Sequence, residues 1–340
     1  MTVSAPVWQI NFASCRPFLL SVVVPVYNEI EVLPLFMDRL YTVLESIQQS
    51  FEVVLVDDGS TDGSSEWLQQ LALKHKEVRV IWLSRNFGKE AAVTAGLESA
   101  KGDATILIDA DLQDPPELIP EMIEQWRDGA DMVCMRRRSR AGESWFKRTS
   151  AALFYRLLNR ISRFEIPPDT GDFRLISRRA LDALNRLPER NRYMKGLFAW
   201  VGMPTRVVMY DREPRAAGDS KWKTFSLLAL AFEGITSFSV APLRWVTGTG
   251  IAAAMWGALF GFWIVFKALF FGDPVAGYPS MMAVLTFLGG VQLLTVGLVG
   301  EYVGKIYTEV KHRPIYQIRE TSEDRLPATL LNLEQSVESH

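Results

Sequence analysis

The sequence predicts a doubly wound, mostly parallel α/β domain, followed by an interfacial helix and two membrane-spanning helices. Three observations carry that prediction. Strand-like and helix-like segments alternate through residues 18–135, polar residues gather just after each strand-like segment, and two long runs near the C-terminal end are apolar on all faces.

The candidate strands are Leu20–Val26, Glu52–Val56, Val78–Leu83, Thr105–Ile108 and Met132–Met135. Helical patterns fill the gaps at about 30–48, 62–74, 89–100 and 117–127. Such alternation marks a sheet whose parallel strands are joined by crossover helices, and ligands of such sheets sit at the carboxyl ends of the strands. Tyr27, Asn28 and Glu29 follow the first strand, Asp57 and Asp58 the second, and Arg85, Asn86 and Lys89 the third. Asp109 and Asp111 follow the fourth, and Arg136 to Arg138 the fifth. Five polar clusters on one edge describe a site.

Downstream, the runs at about 246–271 and 280–304 contain only Lys267 and Glu301 as charged residues. Each is long enough to cross a hydrocarbon core of roughly 30 Å as a helix. Lys221, Lys223 and Arg244 precede the first, and Lys305, Lys311 and Arg313 follow the second, while the loop around Asp273 and Pro274 has no basic residue. The positive-inside rule then puts the N-terminal domain and both termini in the cytoplasm of a multi-pass plasma (inner) membrane protein. The N-terminus lacks the basic n-region and small-residue cleavage site of a signal peptide. Residues 222–241 read as an amphipathic helix lying at the bilayer surface, with a buried core helix as the alternative. Residues 320–340 are polar and acidic without apolar periodicity and read as a disordered tail. The expected organisation is an extension at 1–17, a catalytic domain at 18–221, the interfacial helix at 222–243, a transmembrane hairpin at 244–307 and a cytoplasmic tail at 308–340.

The 340 residues carry a net charge of −2, which does not suggest nucleic acid. Cys15 and Cys134 read as reduced thiols, and the three histidines lack ligand spacing, which argues against zinc.

Residues 106–115, I-L-I-D-A-D-L-Q-D-P, carry the most chemistry. On an extended backbone Asp109, Asp111 and Gln113 would point the same way. Clustered oxygen ligands suit a hard divalent cation that keeps coordination positions for substrate phosphates. The D-A-D alone is equally compatible with an acidic turn before a Pro-Pro helix start. In V-D-D-G-S-T-D (56–62), Asp58-Gly59 makes a turn and Ser60 or Thr61 can cap the next helix, leaving a carboxylate suited to a nucleobase edge or ribose. Neither a P-loop nor a G-x-G-x-x-G fingerprint is present, which disfavours ATP hydrolysis by a P-loop and Rossmann dinucleotide binding.

In order and spacing, P-V-Y-N-E (25–29), V-D-D-G-S (56–60), N-F-G-K-E-A-A (86–92), D-A-D-L-Q-D-P-P (109–116) and T-G-D-F-R-L (170–175) resemble the family 2 glycosyltransferases of the nucleotide-sugar-binding GT-A type. Within these they resemble the polyprenyl-phosphate branch of dolichol-phosphate mannose synthase and bacterial undecaprenyl-phosphate glucosyltransferases. G-D-S-K (218–221) and G-E-Y-V-G-K-I-Y (300–307) resemble its membrane-bound bacterial members. The resemblance implies that Pro25, Tyr27, Glu29 and Asp58 line the nucleoside pocket. Asp109, Asp111 and Gln113 would hold Mg²⁺ or Mn²⁺ against the donor diphosphate, with Arg215 and Lys221 closing over it. Arg137 and Arg148 would meet the acceptor phosphate, and Arg192, Tyr193 and Lys195 would face the sugar or acceptor. Asp111 and Asp172 would be the catalytic carboxylates. A phosphomonoester is largely dianionic at neutral pH, so Asp172 is expected to orient the acceptor or a sugar hydroxyl at least as much as to remove a proton.

The activity implied is a metal-dependent, inverting transfer of a sugar, with UDP-glucose as first choice, to polyprenyl phosphate on the cytoplasmic face. GDP-mannose or a UDP-amino-sugar would need the same metal site. A lipid bilayer, a flippase for the product and further copies of the chain are the implied partners. A processive polysaccharide synthase is disfavoured because Arg244-Trp245 lacks the rest of a Q-x-x-R-W motif. A catalytically silent adaptor is disfavoured because the metal-binding carboxylates are intact.

Overall fold

The structure is a computed structural model that describes residues 16–138, 170–190, 192–210, 241–271 and 277–325. These form two units: one is an eight-stranded sheet with its helices, which includes the chain from Pro314 onward, and the other holds two long apolar helices.

The sheet is built from β1 (Leu19–Val26), β2 (Ser50–Asp57), β3 (Val78–Leu83), β4 (Ala104–Leu107), β5 (Met132–Arg137), β6 (Thr170–Ser177), β7 (Thr205–Tyr210) and β8 (Ile318–Thr321). Its order is β7-β5-β6-β4-β1-β2-β3-β8. Six strands run the same way; β6 inserts antiparallel between β4 and β5, and β8 lies antiparallel on the β3 edge. Val22, Val23 and Val24 of β1 are fully buried in succession, as expected where helices cover both faces of a parallel sheet.

Helix α1 (Leu33–Ile47) begins with Pro34 in its first turn, where the missing N–H costs nothing, and ends on Gln48 with φ 54°. Its buried Leu33, Phe36, Met37, Leu40, Val43, Leu44 and Ile47 recur at helical spacing. Each such side chain contributes roughly 1.5–3 kcal/mol by leaving water. Helix α2 (Ser64–Lys74) covers β3, and a 3₁₀ turn at Pro116–Leu118 leads into α4 (Ile119–Arg127).

Helix α3 (Lys89–Ser99) differs: Ala91 through Leu97 are all buried. Small side chains let it lie close on the sheet, and a Cβ at Gly96 would stand 2.3 Å from Val23 Cγ1. That tight seat fixes the first residue of the helix, Lys89, at the edge where the parallel strands end. Helices α5 (Arg178–Asn185) and α6 (Met194–Val201) belong to the same unit, with Ser177 capping α5 through the Ala180 amide.

Helices α7 (Ala241–Phe271, 31 residues) and α8 (Tyr278–Val310, 33 residues) contain the two expected apolar runs. Leu243–Trp263 and Phe287–Val310 are long and apolar enough to cross a membrane. Trp256, Phe262, Leu293 and Leu294 each expose about 70% or more of their surface. The interfacial-helix assignment for 222–243 lies outside the described residues except at its last three positions.

One boundary is corrected. Residues 320–325 are not disordered: they belong to β8 and to a short helix, α9 (Ser322–Arg325). An edge strand pairs through its backbone, so I-R-E-T shows no apolar alternation to reveal it.

Candidate active site

The turns after β1 and β2 are sewn together. Asn28 (φ 54°) donates its backbone N–H to Ser60 Oγ at 3.0 Å, and its Oδ1 accepts from the Thr61 N–H at 2.8 Å. The Glu29 N–H donates to Ser64 Oγ, and the Ile30 N–H to Asp62 Oδ2. Tyr27, 40% exposed, stands beside this seam, with Pro25 and Glu29 partly buried along it.

Asp58, expected on the nucleoside side, is bonded to the loop after β3. It is only 2% exposed, and its two oxygens accept from the Phe87 N–H at 2.7 Å and the Gly88 N–H at 2.9 Å. Burial pushes its pKa up, against those two amides. Asp58 therefore clamps the loop after β3. Gly59 is required beside it, because a Cβ there would meet the Arg85 and Asn86 backbone at 2.7 Å and φ is +72°. The clamp delivers Lys89 to the site.

The Lys89 ammonium bridges Asp109 Oδ2 at 2.7 Å and Asp172 Oδ2 at 2.5 Å. The two aspartates meet because Ile106 faces Leu175 and Leu107 faces Arg174 across the antiparallel β4–β6 pair, a register that runs on toward Asp109 and Asp172. Burial opposes charge on all three groups. The carboxylates overcome it at Lys89, which is held well above the usual lysine range. At Asp172, Lys89, Lys195 and Arg174 overcome it and hold the carboxyl well below the usual range. At Asp109 burial prevails, helped by Asp172 and Asp114 against Lys89, and the pKa rises.

Glu90 lines the same cleft. It is open to water on one side but crowded by protein on the others, and this with the Asp172 charge pushes its carboxyl up to about 7. It accepts from the Met194 N–H at the start of α6. Arg174, 3% exposed, donates to the Gly171 carbonyl at 2.9 Å and the Asp172 carbonyl at 3.3 Å, and stacks 3.7 Å over the Phe198 ring. It holds the turn of T-G-D in place.

The D-A-D-L-Q segment departs from expectation in backbone shape. β4 ends at Leu107, the chain turns at Ala110 and Asp111, and Leu112 takes φ 57°. Asp109, Asp111 and Gln113 thus do not alternate along one extended strand; the Gln113 N–H instead donates to Asp111 Oδ1 at 3.1 Å. A strand predicted from an apolar run cannot show where its backbone leaves the sheet. Among the described residues no three His, Cys, Asp or Glu side chains form a ready-made metal cluster. The donor chemistry still fits a divalent cation: Asp109, partly exposed, already holds a cation in Lys89, and the hard oxygens of Asp111 and Gln113 follow within one turn.

Arg192, expected at the sugar or acceptor, is turned into the protein. It is 5% exposed, donates to the Leu187 and Glu189 carbonyls, and lies 3.9 Å from Glu98 Oε1. Arg148, Arg215 and Lys221 lie outside the described residues, and of Arg137 the structure describes the backbone, paired with Tyr210 of β7. The contacts that Lys89, Glu90 and Arg174 make around Asp172 were not evident in the sequence. N-F-G-K-E at a strand–helix junction was the available signal for the first two.

Taken together, the sheet order, the acidic turn after β4 and the inserted antiparallel β6 define a GT-A-type domain followed by an apolar helical hairpin. Residues 21–184 match the family described as glycosyl transferase family 2, and residues 241–306 match the GtrB C-terminal hairpin. A bactoprenol glucosyl transferase of Shigella phage SfV is 47% identical over 300 residues, covering 88% of this chain and 98% of that protein. An uncharacterised glycosyltransferase of Synechocystis sp. is 45% identical over 299 residues, covering 88% and 94%. Among solved structures, glucosyl-3-phosphoglycerate synthase from Mycobacterium tuberculosis is similar at 20% identity and TM-score 0.48, covering 69% of this chain and 84% of that one. The chain belongs to glycosyltransferase family 2.

Proposed function

We propose that this glycosyltransferase moves a sugar, with UDP-glucose as first-choice donor, onto a polyprenyl phosphate at the cytoplasmic membrane face. The observation that carries the reading is the 47% identity to a bactoprenol glucosyl transferase across both the catalytic domain and the hairpin. Two membrane-length helices in the same chain suit a lipid acceptor.

The acceptor phosphate oxygen attacks the anomeric carbon from the face opposite the departing nucleoside diphosphate. A C–O bond forms as the sugar–diphosphate C–O bond breaks, and the configuration inverts. Asp172 is poorly suited to take a proton, because its neighbouring cations hold it ionised and weakly basic. The acceptor is already largely dianionic near neutral pH. Asp172 therefore orients the acceptor or a sugar hydroxyl, and Lys89 and Lys195 supply positive charge where two polyanions approach. Pro25, Tyr27 and Glu29 line the nucleoside side, with Asp58 setting the floor. A divalent cation, Mg²⁺ or Mn²⁺, held by Asp109, Asp111 and Gln113, would neutralise charge on the leaving diphosphate. Arg215 and Lys221 are proposed for the donor phosphates, and Arg137 and Arg148 for the acceptor phosphate. Both termini are cytoplasmic in this reading, and a flippase would carry the product across.

The test is direct. The purified chain in bilayers containing undecaprenyl phosphate is given a panel of radiolabelled nucleotide sugars, and lipid-extractable label is counted. Label from one donor identifies it; no lipid-linked label from any donor sinks the proposal.

A further inference from the structure

We propose that Tyr316–Arg325, the chain that follows the second apolar helix, is a positioning strap for the active site. It has three separate holds. The Ser84 N–H donates to the Gln317 carbonyl at 2.8 Å, at the point where the loop carrying the Asp58 contacts leaves β3. β8 continues along β3, with Leu83 opposite Ile318, Trp82 opposite Glu320 and Ile81 opposite Thr321, and Ser322 Oγ accepts from the Val80 N–H. Tyr316 Oη donates to Glu98 Oε2 at 2.6 Å.

Those holds lead to the reacting groups by short routes. Glu98 stands in the last turn of α3, whose first residue is Lys89, and the buried small side chains between them make that helix a stiff rod on the sheet. Glu98 also faces Arg192, whose guanidinium ties down the Leu187 and Glu189 carbonyls just before α6. α6 in turn presents the Met194 N–H to Glu90 and the Lys195 charge to Asp172. Ser84 leads into the Phe87 and Gly88 amides that Asp58 holds. A strand that merely covers a sheet edge would need the β3 pairing alone. The Tyr316 and Gln317 contacts fall instead at the two places from which Lys89 and α6 are steered.

The proposal deepens the transferase reading and rests on it for its kinetic consequence, so the experiment has an arm independent of activity. In the full chain in bilayers, a stop codon after Arg313 removes the strap and keeps both apolar helices. Amide exchange of Phe87, Gly88 and Met194 should quicken about tenfold or more, since losing one hydrogen bond to a charged group corresponds to at least that factor. Exchange in β1 and β4 should not change, and turnover should fall by a similar factor. Tyr316→Phe keeps β8 paired, so it should quicken Met194 exchange and lower turnover while leaving Phe87 and Gly88 unchanged. It also carries the test if the truncated chain does not fold. Unchanged exchange at all three amides, or a uniform rise through the sheet, overturns the strap. If exchange moves as expected while the unaltered chain makes no glycolipid from any donor, the strap stands and the transferase reading fails.

Discussion

Lys89→Met removes the cation between Asp109 and Asp172 while keeping the length of the side chain. In the structure that nitrogen lies within 3 Å of a carboxylate oxygen on each aspartate. A hydrogen bond to a charged group contributes roughly 1.5–3 kcal/mol. Because 45% of the Lys89 side chain is exposed, screening pulls both contacts to the low end, about 2–3 kcal/mol together. A domain of this size loses roughly 2–4 °C per kcal/mol, so the apparent Tm of the catalytic domain should fall by about 5–10 °C at neutral pH. The sign of the pH dependence follows from the shifts. Asp172 is depressed in the folded chain, so its contribution is present above the unfolded value of about 3.9 and is lost as pH falls through the folded one. Lys89 is raised, so its contribution is present below about 10.4 and is lost only as pH rises through its folded value. The bridge's contribution should therefore close in acid, while near neutrality the gap should widen as pH rises, because losing Lys89 lets the Glu90 carboxyl rise further. Mn²⁺ should raise the Tm of the variant more than that of the parent if Asp109 ligates metal. Scanning fluorimetry across pH, with and without Mn²⁺, reads all of this. Equal melting at neutral pH, or a gap unchanged at about pH 3, would refute the bridge.

Other outcomes follow from the same site. Asp111→Asn should abolish most transfer with the fold intact by circular dichroism, and EDTA should do the same; full turnover in EDTA removes the metal from the mechanism. Arg148→Ala and Arg137→Ala should leave UDP binding by calorimetry nearly unchanged and raise the acceptor KM or lower turnover by about ten- to a hundred-fold, with Lys rescuing only partly. Loss of UDP binding with intact acceptor kinetics would reverse the assignment of the two sides. Glu90, pushed up to about 7, binds its proton in the native state before the unfolded chain does, so stability falls as pH rises from about 4.3 to that value. Glu90→Gln should flatten that stretch of the melting curve, and an unchanged slope would remove Glu90 as its source.

The five strands read from apolar runs are present, and their ends agree with the sequence to within three residues, because strands buried on both faces must be apolar throughout. β6, β7 and β8 were not legible as strands. Charged Arg174 sits inside β6 because its guanidinium is spent on backbone carbonyls and the Phe198 face, and no local pattern announces that. β8 pairs by backbone alone. Site residues were legible by type: D-A-D and T-G-D name the two carboxylates that meet Lys89. Their meeting was not, since it depends on the register of strands far apart in the chain and on Gly96 letting α3 approach β1. What Asp58 holds was not legible for a related reason. A carboxylate in a turn does not announce that the Phe87 and Gly88 amides, about thirty residues on, donate to it.

A cleft meant to receive two phosphate-bearing substrates would gain nothing from bare carboxylates, which repel them. Asp109 and Asp172 make physical sense as holders of positive charge, since both bind the Lys89 ammonium. Asp172 lies between Lys89 and Lys195 and is kept ionised by them, and Arg174 fixes the backbone on which it stands. Asp109 shares Lys89 and is left, by burial, readier to give up negative charge than an ordinary aspartate. In the proposed reaction, cations held in this way before substrate arrives would leave little reorganisation when negative charge builds up on the departing diphosphate. The arrangement also explains the order of the chain. Asp109 follows β4 and Asp172 lies on the inserted β6, while Lys89 comes from α3 and Lys195 from α6, and the register between those strands brings the two aspartates within reach of Lys89. The antiparallel β6, inserted between β4 and β5, is thus what sets Asp172 beside Asp109 and Lys89 at the edge where the parallel strands end.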